Sequence, residues 1–164
     1  MWITEKPPIA PLRIAIVRAL DPASARVRVV FPDHDQMQTY WLPILAPKTQ
    51  NDKAYWMPDI GEQVVCLMDA HDEAGVVLGA IYSSADPPPV NSADKFHVSF
   101  ADGAAIEYDR AAHSLTIELS SGGLASINAP GGITLKCGGS QVSIGPNGVS
   151  ISPPLPLTST AAQT

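Results

Sequence analysis

The segment SSGGLASINAPGGITLKCGGSQVSIGPNGVSIS, residues 120–152, decides how the second half of this 164-residue chain folds. It contains one charged residue, Lys136, and no aromatic ring, and it has a glycine-containing turn every few residues. Between these turns leucine, isoleucine and valine alternate with polar residues. Strand starts lie about eight to ten residues apart, a spacing that is typical of short β-strands joined by tight turns.

A sheet of such strands has one apolar face, and this part of the sequence offers no helix or second sheet to cover it. Three identical ribbons wrapped about one axis would bury the apolar side chains and pair the sheet edges with neighbouring chains. We therefore predict a homotrimer with an apolar axis. The predicted axial residues are Leu115, Ile117, Leu119, Ile127, Ile133, Leu135, Val142, Ile144, Val149 and Ile151, and the predicted tip residues are Leu155 and Leu157.

Aromatic residues are confined to the first two thirds of the chain. Phe, Tyr and Trp make up 6% of the residues, and none follows Tyr108. A slim axis admits aliphatic side chains more easily than rings, which agrees with this distribution. Two other interpretations stay open at this point, a disordered Gly/Ser-rich tail and a monomeric parallel solenoid.

The first half has the patterns of a small antiparallel barrel. RIAIVRAL and ARVRVVF alternate apolar and polar residues around a DPAS turn, which predicts a hairpin over residues 12–31. TYWLPIL, the apolar run at 64–68 and the run at 76–82 predict further strands. About five short strands without helical periodicity favour a five-stranded OB barrel, with a small sandwich as the alternative.

Proline and composition changes divide the chain into segments. Pro87, Pro88 and Pro89 hold the backbone extended and cannot donate ladder hydrogen bonds, so they mark a boundary. The predicted segments are an N-terminal extension at 1–11, an OB domain at 12–86, a proline-rich linker at 87–94, a trimeric β-helix shaft at 95–152 and a tip at 153–164.

Charge and cysteine content exclude several classes of protein. The net charge is −6, which provides no basic surface for a phosphate backbone, so we expect no nucleic-acid partner. The two cysteines, Cys66 and Cys137, lie in apolar runs and are predicted to be buried free thiols rather than a disulfide framework. Because the chain has no membrane-length apolar run and no signal-peptide pattern, we expect it to be made and kept in the cytosol.

Three longer segments resemble one protein family. RVRVVFPDHDQMQTYWLPILAP, AYWMPDIGEQVVCLMDAHDEAGVVLGAIYSSADPPP and FADGAAIEYDRAAHSLTIEL are similar to the central spikes of contractile phage tails, the baseplate assembly protein V family. That family includes the spikes of R-type bacteriocins and the VgrG spikes of type VI secretion. The most specific parts are Pro-x-x-Gly-Glu-x-Val at 58–64, the run at 75–83, and Asp102-Gly103 followed by Tyr108-Asp109.

The resemblance implies an all-β fold, an OB barrel followed by an intertwined trimeric triple-stranded β-helix. It implies a structural, non-enzymatic spike that assembles in the host cytoplasm, sits in the tail baseplate against a hub protein, and pierces the outer membrane of the target cell. Many shorter spikes of the family end in a His-x-His pair that binds iron. Here the last histidine is His113, so we expect no metal or other cofactor, and a tip closed by Leu155 and Leu157 or by a small tip-capping protein.

The remaining polar patterns point to no catalytic site. Histidine and carboxylates adjoin in DHD at 33–35 and in HDE at 71–73, and the other histidines are His97 and His113. No metal-ligand or nucleophile spacing accompanies them, so we predict that the histidines are solvated turn residues. The alternative function is an OB module that binds a glycan or another ligand, with the repeat as its trimerising stalk.

Overall fold

The computed structural model describes residues 12–33, 37–69 and 74–153. Over these residues the chain forms β-strands and turns and no helix, so the prediction of an all-β protein is confirmed. In the same three ranges no helix could cross a membrane. The chain divides into two compact units, Met1–Asn91 and Ser92–Thr164.

The first unit is a nearly closed barrel made from one five-stranded sheet. Its strands are β1 (Leu12–Asp21), β2 (Arg26–Val30), β3 (Leu42–Pro43), β4 (Gln63–Met68) and β5 (Gly75–Ala80), in the order β3-β2-β1-β4-β5. An isolated bridge between Ile44 and Val77 joins the two ends of the sheet, and the Leu45 N–H donates to the Val77 carbonyl at 2.8 Å. The barrel interpretation is therefore confirmed, and the sandwich alternative is wrong.

The barrel core follows from period-two alternation. On β1, Ala15 and Val17 are fully buried, whereas Leu12 and Ile14 are about half exposed. Successive side chains of a strand point to opposite faces, so one face of each strand fills the interior. The buried cluster is Ala15, Val17, Val27, Val29, Phe31, Leu42, Val64, Cys66, Met68 and Val77.

The strand predicted in TYWLPIL is reduced to the two residues of β3. Pro43 has no N–H to donate and so cannot extend the ladder. Upstream, Thr39 takes part through its side chain, since its hydroxyl accepts from the Val29 N–H at 3.2 Å and donates to the Tyr40 carbonyl at 2.8 Å. The barrel therefore closes through the Ile44–Val77 bridge and the Leu45 hydrogen bond rather than through a long fifth strand.

The second unit contains two three-stranded antiparallel sheets. One consists of β6 (Lys95–Ser99), β7 (Ala105–Asp109) and β8 (Ser114–Glu118), in chain order. The other consists of β9 (Ile133–Cys137), β10 (Ser140–Gly145) and β11 (Gly148–Ser152), with β10 at its centre. The predicted turn at Asp102 and Gly103 joins β6 to β7, and the Asp102 carboxylate accepts from the Ala104 N–H at 3.0 Å.

The stretch between the two sheets forms no strand, although Leu124 and Ile127 belong to the repeating pattern that predicts strands. These residues lie three apart, so a single strand would point them to opposite faces. Gly122 has a φ of +82°, a conformation that favours glycine. The Gly123 N–H donates to the Ser120 carbonyl at 2.8 Å, which closes a turn just before Leu124.

The two cysteines differ in environment. Both are free, but Cys66 is buried in the barrel core and Cys137 is exposed at the end of β9. Desolvation raises the pKa of the Cys66 thiol to about 11. The prediction of two buried thiols is correct for Cys66 and wrong for Cys137, because among the described residues none covers the apolar face of its sheet.

Candidate functional site

One face of the β9-β10-β11 sheet is apolar. Val142 of β10 pairs with Leu135 on one side and Ile151 on the other, and Ile144 pairs with Ile133 and Val149. Residues directly opposite each other in an antiparallel pair share a face. The structure therefore brings six of the predicted axial residues together: Ile133, Leu135, Val142, Ile144, Val149 and Ile151.

The β6-β7-β8 sheet repeats this arrangement. Leu115 pairs with Tyr108, which pairs with Phe96, and Ile117 pairs with Ile106, which pairs with Val98. The predicted axial residues Leu115 and Ile117 thus share a face with four residues absent from the prediction: Phe96, Val98, Ile106 and Tyr108. The alternation in KFHVS and AIEYD is the signal that identifies them, and two of the four, Phe96 and Tyr108, are rings rather than the aliphatic side chains predicted for the axis.

Two of the remaining predicted residues lie outside the strands. Leu119 follows β8 and Ile127 lies between the two sheets, and their side chains are 47% and 75% exposed. The structure does not place either residue in the two paired apolar faces. The predicted tip residues Leu155 and Leu157 lie outside the described residues.

The apolar faces are largely open to solvent in a single chain. Leu115, Leu135 and Val149 are each more than 60% exposed. The strands β6, β8, β9 and β11 are at the edges of their sheets. An exposed apolar face beside unpaired strand edges is a surface for association with another chain.

The opposite face of the β6-β7-β8 sheet carries an ionic cluster. The Lys95 Nζ lies 2.7 Å from Glu107 Oε1 and 3.8 Å from Asp109 Oδ2, and His97 Nδ1 lies 2.9 Å from Glu107 Oε2. His97 is on a strand with a 15% exposed side chain, so the prediction of a solvated turn residue is wrong for it. Hydrogen bonds from Lys95 and then His97 lower the pKa of Glu107, and the hydrogen bond to Glu107 raises the pKa of Lys95.

Glu107 should make the stability of the second unit depend on pH. Because folding lowers the pKa of this carboxyl from 4.5, its stabilising effect is complete above that value and is lost as the pH falls through the folded-state pKa. We expect Glu107→Gln to lower the melting temperature at pH 7, and we expect this difference to shrink as the pH falls below 4.5 through the folded-state pKa. Thermal unfolding followed by circular dichroism across this range measures the difference.

Glu118→Gln is the matched control, because Glu118 is an exposed carboxylate on β8 of the same sheet. We expect its melting curve to follow that of the wild type at each pH. A Glu107→Gln variant with an unchanged melting temperature at pH 7 would show that the cluster adds nothing to stability.

Across residues 12–33, 37–69 and 74–153, no three His, Cys, Asp or Glu side chains come together as a metal site. His113 has a φ of +53° and lies in the turn before β8. In DHD, His34 and Asp35 lie outside the described residues. The whole of HDE, residues 71–73, also lies outside them.

Comparisons with known proteins match both halves of the chain. Residues 13–82 match the family model of the type VI secretion system/phage-baseplate injector OB domain. The Spike protein of Escherichia phage P2 is 36% identical over 124 residues, which cover 75% of this chain and 56% of the phage protein. The chain therefore spans little more than half the length of this relative.

Proposed function

The chain belongs to the baseplate spike family of contractile tails, and from that membership we propose that three copies form a spike that punctures the outer membrane of a target cell. In this proposal residues 95–152 of the three copies wrap about one axis as an intertwined triple-stranded β-helix. The role is mechanical rather than enzymatic, and contraction of the tail sheath drives the needle along its axis.

The observation that carries the proposal is the extent of exposed aliphatic surface after β7. Nine side chains in this part of the chain are 42–87% exposed: Leu115, Ile117, Leu119, Leu124, Ile127, Leu135, Ile144, Val149 and Ile151. Scattered exposed aliphatic residues are normal on a monomer, whereas contiguous apolar faces such as those of the two sheets mark surfaces for association. A stable interface buries about 800 Å² on each partner, so association with identical chains can use this surface.

The open strand edges give a second physical reason for a trimer. Within the part of the chain that the structure describes, each three-stranded sheet leaves the outer edges of two strands without partners. Wrapping three copies about an axis lets the edges of one chain pair with those of the next, which removes sites for uncontrolled aggregation. A needle without free edges also resists peeling when force acts along its axis.

Baseplate membership further supports contacts with other baseplate proteins. We propose that the barrel unit docks on a hub protein and that the far end is closed by the tip residues or by a small capping protein. We also propose that the spike works without a bound metal. The 164 residues contain no His-x-His pair.

Light scattering coupled to size exclusion tests the trimer. We expect a mass of three times 17.3 kDa, with resistance to dissociation in SDS because the chains are interwound. A single species at the mass of one chain would contradict the proposal. The barrel strands pair within one chain, so the barrel itself is expected to fold in either case.

A further inference from the structure

An apolar groove lies on the barrel at the seam where the sheet closes. It has a volume of about 520 Å³ and is bordered by the chain after β3 and by the chain before β4. Leu45 and Pro47 lie on the first border and Tyr55 and Trp56 on the second. Glu62 also lines the groove, and its carboxylate accepts from the Asp59 N–H at 2.7 Å. This volume is within the usual range of protein binding sites, about 300–1,000 Å³.

The groove is a formed surface rather than a gap left by loose packing. The Tyr55 hydroxyl donates to the Pro22 carbonyl at 3.2 Å, which ties the ring to the β1–β2 turn. The Ala54 N–H donates to the Lys48 carbonyl at 3.1 Å and closes the intervening loop. Nevertheless, Leu45, Tyr55 and Trp56 are each more than 60% exposed.

The lining indicates the chemistry of the occupant. Two exposed aromatic rings beside prolines and aliphatic side chains are typical of surfaces that bind polyproline II segments. Such a segment is already extended, so it loses little conformational entropy on binding. A glycan would require several polar partners, whereas most of this lining is apolar and Glu62 supplies one carboxylate.

The chain itself contains a segment of this kind. Residues 6–11, Lys-Pro-Pro-Ile-Ala-Pro, lie outside the described residues and lead directly into β1. Three prolines in six residues favour the polyproline II conformation, and Lys6 can pair with the carboxylate of Glu62. At about 3.1 Å per residue, these six residues span roughly 19 Å.

The position of Leu12, where this segment ends, favours binding to the groove of a neighbouring copy over binding to the groove of the same barrel. Leu12 pairs with Leu67 near the end of β4, whereas Glu62 precedes that strand. About 16 Å of strand separates these positions. Residues 6–11 could reach the groove of their own barrel only by reversing direction just before Leu12, and Pro11 restricts the backbone there.

We propose that the aromatic groove of each barrel binds residues 6–11 of a neighbouring copy. This inference rests on the homotrimer proposed above. The exchanged segments would link the barrels to one another, independently of the packing along the shaft.

Disulfide trapping in the full chain tests this inference. Ile9→Cys and Leu45→Cys are combined with Cys137→Ala, while the buried Cys66 is retained because its raised pKa, about 11, keeps the thiol protonated. We expect mild oxidation to give cross-linked dimers and trimers on a non-reducing gel. Each single-cysteine variant serves as a control for random collision.

The outcomes separate this inference from the proposed function. A disulfide within one chain would overturn the assignment to a neighbour. A trimeric mass without any cross-link would overturn the inference and leave the trimer standing. A monomeric mass would contradict the trimer itself.

A second pair of variants tests the groove. Trp56→Ala in the two-cysteine background should slow cross-linking by roughly tenfold, since aromatic anchors dominate such interfaces. Tyr40→Ala is the matched control, because Tyr40 is 70% exposed and does not border the groove. Equal rates for the two variants would show that the groove does not hold the segment.

Discussion

Val142→Asp is expected to abolish assembly of the trimer. Val142 is at the centre of the apolar face of the β9-β10-β11 sheet, between Leu135 and Ile151. In the proposed shaft this substitution places three carboxylates together near a dry axis. Burying even one unpaired charge costs on the order of several kcal/mol, and mutual repulsion adds to that cost. Light scattering should therefore report monomers or heterogeneous aggregates instead of a threefold mass.

The neighbouring position provides the control for this prediction. Ser143 is in the same strand with its side chain on the opposite face, where it pairs with Thr134 and Ser150. Ser143→Asp introduces the same charge on the polar face, so we expect it to remain trimeric. A Val142→Asp variant that still forms a stable trimer would contradict the assignment of this face to the axis.

Tryptophan fluorescence can show whether Val142→Asp also affects the barrel. All three tryptophans precede residue 57, so their emission reports on the first half of the chain alone. The barrel sheet contains no strand from the second unit. We therefore expect a native emission spectrum in the variant even where assembly is lost.

The strands that the sequence predicts correctly are those set by local patterns. The alternation of β1 and β2 around the Asp21 turn and the apolar run of β4 specify their own structure, because pleat and turn are short-range properties. In contrast, β3 keeps two residues of the predicted run. The length of β3 depends on Pro43 and on how the barrel closes. Barrel closure involves residues far apart in the sequence, so local alternation does not predict it.

The candidate site was predictable in part for the same reason. Six axial residues share one sheet face because their spacing of two fixes the face on which each lies. Phe96 and Tyr108 show the limit, since the scarcity of rings predicts an aliphatic axis whereas the strand pairing places both rings beside Leu115. The exposure of Cys137 could not be predicted either, because it depends on what covers the face and not on the strand that carries the cysteine.

Leu42→Ala should destabilise the barrel more than any exposed substitution in the same unit. The Leu42 side chain is 1% exposed and belongs to the buried cluster, and its strand β3 lies next to the closing bridge. Truncating a buried leucine to alanine costs about 2–5 kcal/mol, because apolar contacts are lost and a cavity remains. Small domains are stable by only about 5–15 kcal/mol, so the effect should be large. Urea unfolding followed by tryptophan emission measures it.

Leu12→Ala is the matched control, because it is the same substitution at a residue that is 56% exposed on β1. We expect a change of about 0.5 kcal/mol or less, since surface substitutions rarely exceed that value. Neither substitution touches the shaft, so both variants should keep the trimeric mass. Loss of the trimer in Leu42→Ala would mean that the barrels, and not only the apolar faces of the second unit, hold the three copies together. Equal unfolding midpoints for the two variants would contradict the role of Leu42 in closing the barrel.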